Sequence, residues 1–167
     1  KYDEKGNRVE MLEYDGTGVP AKTTFKYDEK GNRVEIMWND GGTAARNKTT
    51  LKYDEKGNMT EWVDDNLDGY LRNTTYKYDE KGNRVELVEC DSSGKITRKN
   101  IRKYDEKGNK VEEEEYDGSG KIIFKSTFEC DDKGNTVKET TFMVKTDLGE
   151  SHLVPVSEEI CEYTYWD

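Results

Sequence analysis

The amino-acid sequence predicts an all-β fold of tandem β-hairpin repeats, about 25 residues each, that form a continuous antiparallel meander, curled or superhelical. Three observations carry this expectation. The string KYDEKGN stands at Lys1, Lys26, Lys52, Lys77 and Lys103, and a sixth copy, ECDDKGN, begins at Glu129. A second Gly-bearing turn lies after each copy, so that twelve turn glycines recur every 11 to 15 residues from Gly6 to Gly149. Removing a turn of about four residues leaves segments of about eight, which is strand length and too short for a row of helices. Finally, the segments alternate polar and apolar residues with the two-residue period of a strand.

The strands entering the KYDEKGN turn read TTFKY (residues 23–27), TTLKY (49–53) and TTYKY (74–78), rich in Thr and aromatic residues. Those leaving it read RVEML, RVEIM and RVELV, where Val9, Val34 and Val85 precede Glu10, Glu35 and Glu86. Lys and Thr of one strand beside Glu of the next make favourable cross-strand pairs. In the turns, Asp28 takes the first position of a type I turn and Gly31 the fourth, where a left-handed residue closes a three-residue loop with a bulge. That loop sets Tyr27 opposite Arg33, whereas matched apolar faces would set Tyr27 opposite Val34. Turn chemistry decides for Arg33, which implies apolar side chains on both faces.

Five to six hairpin repeats are expected over residues 1–135 and a divergent capping repeat over 136–167, in one continuous domain. Pro155 cannot donate to a ladder and should mark an edge or a bulge. Tyr163, Tyr165 and Trp166 look like a cap. The chain opens at Lys1 inside a repeat, so an upstream neighbour and edge-to-edge self-association at that end are expected.

Composition narrows the function. Only 31% of the 167 residues are hydrophobic and 38% are charged, against about 45–50% and about 25% in ordinary globular domains. The core must therefore be thin, while 11 Tyr and 3 Trp argue against disorder. A net charge of −10 excludes a basic nucleic-acid binder, and no segment is apolar enough for membrane insertion. Three scattered cysteines, Cys90, Cys130 and Cys161, read as free thiols. The single histidine, His152, lacks the companions of a catalytic set, and the run from Glu112 to Glu115 reads as a solvated strand face, so neither catalytic residues nor a cofactor are expected.

Two patterns could bind a ligand. Asp64, Asn66 and Asp68, followed by Gly69, match the start of a calcium loop, but its twelfth position is Thr75, so a longer hairpin turn is the first reading and calcium the second. Tyr27, Tyr53, Tyr78 and Tyr104, with Trp38 and Trp62, recur like a ladder of stacking platforms for sugars. Their simpler role is to fill the thin core with the ring and keep the hydroxyl in water.

The Tyr-Asp pair, two variable residues and Gly at Tyr2, Tyr27, Tyr53, Tyr78 and Tyr104 resemble the signature of YD-repeat proteins of the rearrangement-hotspot type. The apolar residue after the Gly comes one position late, at Val34 and its equivalents, and the family's Arg-rich core segment is missing. The Lys/Glu-rich hairpins with EKG and DGSGK turns are also similar to the single-layer sheet of spirochaete outer-surface lipoproteins. Both resemblances imply a bacterial surface or secreted protein without an active site in the repeat. The expected function is thus a non-enzymatic structural, adhesion or scaffold segment with a protein or glycan partner. A carbohydrate-binding module is the alternative.

Overall fold

The computed structural model describes residues 1–14, 16, 18–39, 41, 46–66, 71–147 and 150–163. Asp68, Tyr165, Trp166 and the turn glycines Gly42, Gly69 and Gly149 lie outside the described residues. Twelve strands follow one another in chain order as an antiparallel meander: β1 (Glu10–Glu13), β2 (Ala21–Tyr27), β3 (Arg33–Asn39), β4 (Arg46–Tyr53), β5 (Met59–Asp65), β6 (Leu71–Tyr78), β7 (Arg84–Cys90), β8 (Ile96–Tyr104), β9 (Lys110–Asp117), β10 (Ile122–Cys130), β11 (Thr136–Asp147) and β12 (Glu150–Ile160). The all-β expectation holds. Two compact units divide the chain, Lys1–Tyr76 with Glu89–Lys95, and Lys77–Val88 with Ile96–Asp167.

Each KYDEKGN turn repeats one set of hydrogen bonds. The Gly31 N–H donates to the Asp28 carbonyl (3.1 Å) and the Asp28 N–H to the Asn32 carbonyl (2.9 Å). The Asp28 carboxylate then accepts the Asn32 N–H at 2.8 Å and its amide Nδ2 at 3.0 Å. Gly31 sits at φ 88°, a region in which a Cβ meets the backbone. Asp and Asn are thus the staple of the turn and Gly its hinge, which is why those three letters persist through the copies.

The register dilemma resolves through a bulge. In the first unit Tyr27 faces Arg33 as the loop requires, yet Lys26 faces Glu35 and Phe25 faces Ile36, so Val34 is an extra residue. Thr60 is extra in the same way between Lys52↔Glu61 and Tyr53↔Met59. In the second unit Val111 and Val137 take that place. A one-residue bulge flips the face of everything beyond it. The expectation of apolar side chains on both faces holds, because Phe25 and Ile36 share one face while Met37, opposite Thr24, shares the other with Lys26 and Glu35. Pro155 falls at such an irregularity too, with Val156 extra between Ser157 and Pro155.

What is most buried is polar. Thr23, Thr74, Asn100 and Ser126 occupy equivalent positions of four repeats and are 7%, 5%, 6% and 1% exposed, whereas Leu51 at 7% is the one comparably buried apolar residue among those described. Thr23 lies between Met11 and Trp38, and Ser126 between Glu113 and Thr141. Mid-strand, a short side chain is roofed by longer ones from both neighbours, so burial there selects for small size and paired hydrogen bonds rather than for hydrophobicity. Ser126 Oγ stands 3.2 Å from Thr141 Oγ1, and Asn100 Nδ2 donates to Glu113 Oε1 at 2.9 Å.

Candidate functional site

On the charged face most outgoing strands carry a Glu held between two neighbouring cations. In the first unit Glu10 is held by Lys1 (2.8 Å) and Lys22 (2.7 Å), and Glu35 by Lys26 (2.7 Å) and Lys48 (2.9 Å). Glu61 takes Lys52 at 2.6 Å on one side and the amide of Asn73 at 3.5 Å on the other. In the second unit Glu86 is held by Lys77 (2.7 Å) and Lys99 (2.8 Å), and Glu112 by Lys103 (2.5 Å) and Lys125 (2.6 Å). Hydrogen bonds from Lys1 and Lys22 hold the Glu10 carboxyl down at about 2, and the lysines beside Glu35, Glu86 and Glu112 lower theirs in the same way. The last clamp is inverted, with Lys138 between Glu129 (3.7 Å) and Glu158 (3.1 Å).

The opposite face carries ion pairs as well, such as Arg98 with Glu115 (2.5 Å), and a larger cluster at Glu113. Burial pushes the Glu113 carboxyl up, but hydrogen bonds from Lys110, Asn100 and Arg102 outweigh it and hold the group at about 2. A carboxylate so fully bonded is neither a general base nor a free metal ligand.

The tyrosine ladder is fastened rather than open. Tyr27 Oη donates to the Arg8 carbonyl (2.9 Å), Tyr53 Oη to that of Arg33 (3.0 Å) and Tyr104 Oη to that of Arg84 (3.1 Å). Each hydroxyl therefore ties its repeat to the one before. The Arg33 guanidinium lies 4.6 Å from the Phe25 ring centre and 5.9 Å from that of Tyr27, covering part of both. Trp38 stands opposite Thr23 and Asn47, and Trp62 opposite Leu51 and Thr74, away from the tyrosines at the turn end. Tyr78 ends β6 half-buried in the second unit.

Of the calcium candidates, Asp64 accepts a hydrogen bond from Thr49 Oγ1 at 2.7 Å, Asn66 follows β5, and Asp68 is outside the described residues. Among the described residues no group of three or more His, Cys, Asp or Glu side chains is placed to hold a metal ion. His152 is exposed, with Nε2 3.7 Å from Asp147 across the β11–β12 hairpin. The three cysteines are free and half-buried.

One feature the sequence reading missed is an open hollow of about 540 Å³ in the second unit, lined by Ile96, Lys99, Ile101 and Tyr116 and by the turn from Asp117 to Gly120. Tyr116 Oη donates to Glu114 Oε2 at 2.6 Å, which raises the tyrosine's pKa. The hollow's turn reads EYDGSG over residues 115–120, with a counterpart in EYDGTG over 13–18. The turn closes tightly there, since a Cβ on Gly118 would stand 2.4 Å from the Ile96 carbonyl oxygen.

No protein-family model matches this chain, and no curated protein sequence does. The fold is similar to part of a chain in the crystal structure of TcdB2-TccC3-Cdc42, with a TM-score of 0.52 at 14% identity, covering 86% of this chain and 9% of that one. Lower-scoring similarities are to a porin-like protein from Bacteroides uniformis ATCC 8492 (TM-score 0.36, 12% identity, 90% of this chain and 95% of that one) and to TcdB2-TccC3 without its hypervariable C-terminal region (0.33, 12%, 92% and 12%). The likeness to the first is one of fold, and at that level it fits the YD-repeat resemblance. This chain spans about a tenth of the length of that structure's matched chain.

Proposed function

We propose that this chain is a non-enzymatic scaffold or adhesion segment of a bacterial envelope or secreted protein, working outside the cell. The observation that carries the reading is where the reactive side chains go. The repeat carboxylates are held by lysines and the tyrosine hydroxyls by backbone carbonyls, which joins one repeat to the next, while the turn aspartates are held by asparagines, which closes each turn. A surface built this way offers regular spacing rather than chemistry. The similarity in fold to a small part of a much larger chain supports it as well.

Deleting residues 27–52, one repeat length, tests the reading. A scaffold should stay folded, with an unchanged β-type circular dichroism per residue and a modest fall in melting temperature. A glycan array on the intact chain separates the carbohydrate-binding alternative. Reproducible glycan binding that disappears in Tyr53→Ala or Trp62→Ala would replace the scaffold reading with a lectin.

A further inference from the structure

The clamps obey a rule that runs off the end of the last strand. In every interior hairpin the residue before the repeat tyrosine reaches forward to the strand leaving the turn: Lys26 to Glu35 (2.7 Å), Lys52 to Glu61 (2.6 Å), Lys77 to Glu86 (2.7 Å) and Lys103 to Glu112 (2.5 Å). The residue four positions earlier reaches back to the preceding clamp: Lys22 to Glu10, Lys48 to Glu35, Lys99 to Glu86 and Lys125 to Glu112, all at 2.6 to 2.9 Å. Signs invert within β10. Lys125 still reaches back, but Glu129 faces forward to a cation, Lys138, which Glu158 holds from its other side.

The end of β12 keeps the repeat register. The Cys161 N–H donates to the Val137 carbonyl (2.9 Å) as the Phe25 N–H does to that of Val9 (3.0 Å). Cys161 therefore stands for Phe25, Glu158 for Lys22, Glu162 for Lys26 and Tyr163 for Tyr27. Glu158 makes its backward contact. Glu162, an exposed residue, is the forward arm, and among the described residues no strand pairs with the outer side of β12 to supply its centre. With Cys161 bonded inward, alternation turns the backbone groups of Glu158 and Ile160 outward. Ile160 is 66% exposed and Tyr163 47%. Pro155 and the bulge at Val156, which blunt an edge, lie ahead of this stretch and leave it regular.

We propose that the outer side of β12 receives an added extended strand that carries Lys or Arg facing Glu162 and, two residues further on, an apolar side chain over Ile160. Strand addition of this kind takes its affinity from the backbone ladder and its selectivity from alternate side chains. In β3 the corresponding residues are Glu35, facing Lys26, and Met37, facing Thr24. The partner has that strand's pattern with its central charge reversed.

The probe is a fluorescein-labelled peptide of residues 32–39 with the substitution Glu35→Lys, compared with the unsubstituted peptide, in an anisotropy titration against the full chain. The lysine peptide should bind about five- to tenfold more tightly, the order expected when an exposed attractive pair replaces a repulsive one. Glu162→Lys, at an exposed position where folding is unaffected by circular dichroism, should reverse the preference. Equal binding of the two peptides, no binding of either at millimolar concentration, or a preference that Glu162→Lys leaves unchanged would each overturn the proposal.

Discussion

Substituting the hinge of one turn isolates the cost of backbone handedness. Gly31 lies at φ 88°, and a Cβ built on it meets no atom within 4 Å, so nothing but the backbone itself opposes a side chain there. Alanine at this position should cost about 1–2 kcal/mol, the left-handed penalty of an L-residue. Valine, β-branched, should reach about 3 kcal/mol, while asparagine, which tolerates the region, should cost least. Lys30→Ala, one residue earlier, removes only a contact from Nζ to the Glu55 carbonyl at 3.2 Å and should stay within about 0.5 kcal/mol. At about 2–4 °C per kcal/mol for a chain of this size, the melting temperature should fall in the order Val, Ala, Asn, Lys30→Ala. Gly134→Ala should be worse than Gly31→Ala, because its Cβ would stand 2.7 Å from Asn109 Oδ1, on an amide anchored to Asp105 at 2.9 Å. Urea and thermal melts followed by circular dichroism read the series. Equal losses at positions 30 and 31, or asparagine as damaging as valine, would refute the turn assignment and the bulged register built on it.

Tyr53→Phe removes the hydroxyl bond to the Arg33 carbonyl at 3.0 Å and should lower stability by about 0.5–1.5 kcal/mol, measured by urea denaturation; an unchanged midpoint would mean that the clasp is not what joins the repeats. The acid limb of stability follows from the clamped carboxylates. Glu113 titrates at about 2 in the folded chain against a reference of 4.5, so its contribution is complete above about pH 4.5 and drains away as pH falls toward 2. Glu113→Gln should therefore be less stable than the native chain at pH 6, and the gap should close on acidification; a gap independent of pH would contradict the assignment.

The strands, their number and their antiparallel order were legible because each rests on a signal confined to a few neighbouring residues. Asp28, Asn32 and Gly31 define a turn within five positions, and Thr-Thr-Phe-Lys-Tyr defines a strand within five more. The role of the aromatic ladder was half legible: ring spacing reads as repetition, but that Tyr53 Oη ends on the Arg33 carbonyl, 20 residues back, is a fact of packing between repeats. The polar spine was not legible at all. Thr23 and Ser126 look like any surface residue of an alternating strand, and each is buried between the side chains opposite it in the two adjacent strands, Met11 and Trp38 for Thr23, Glu113 and Thr141 for Ser126. By itself the sequence determined where the chain turns and which residues alternate, since those depend on local backbone preference. Only the tertiary structure decided the faces, because one extra residue at Val34 reverses every side chain beyond it, and that insertion is selected by two strands at once: the turn fixing Tyr27 against Arg33, and the ladder fixing Lys26 against Glu35.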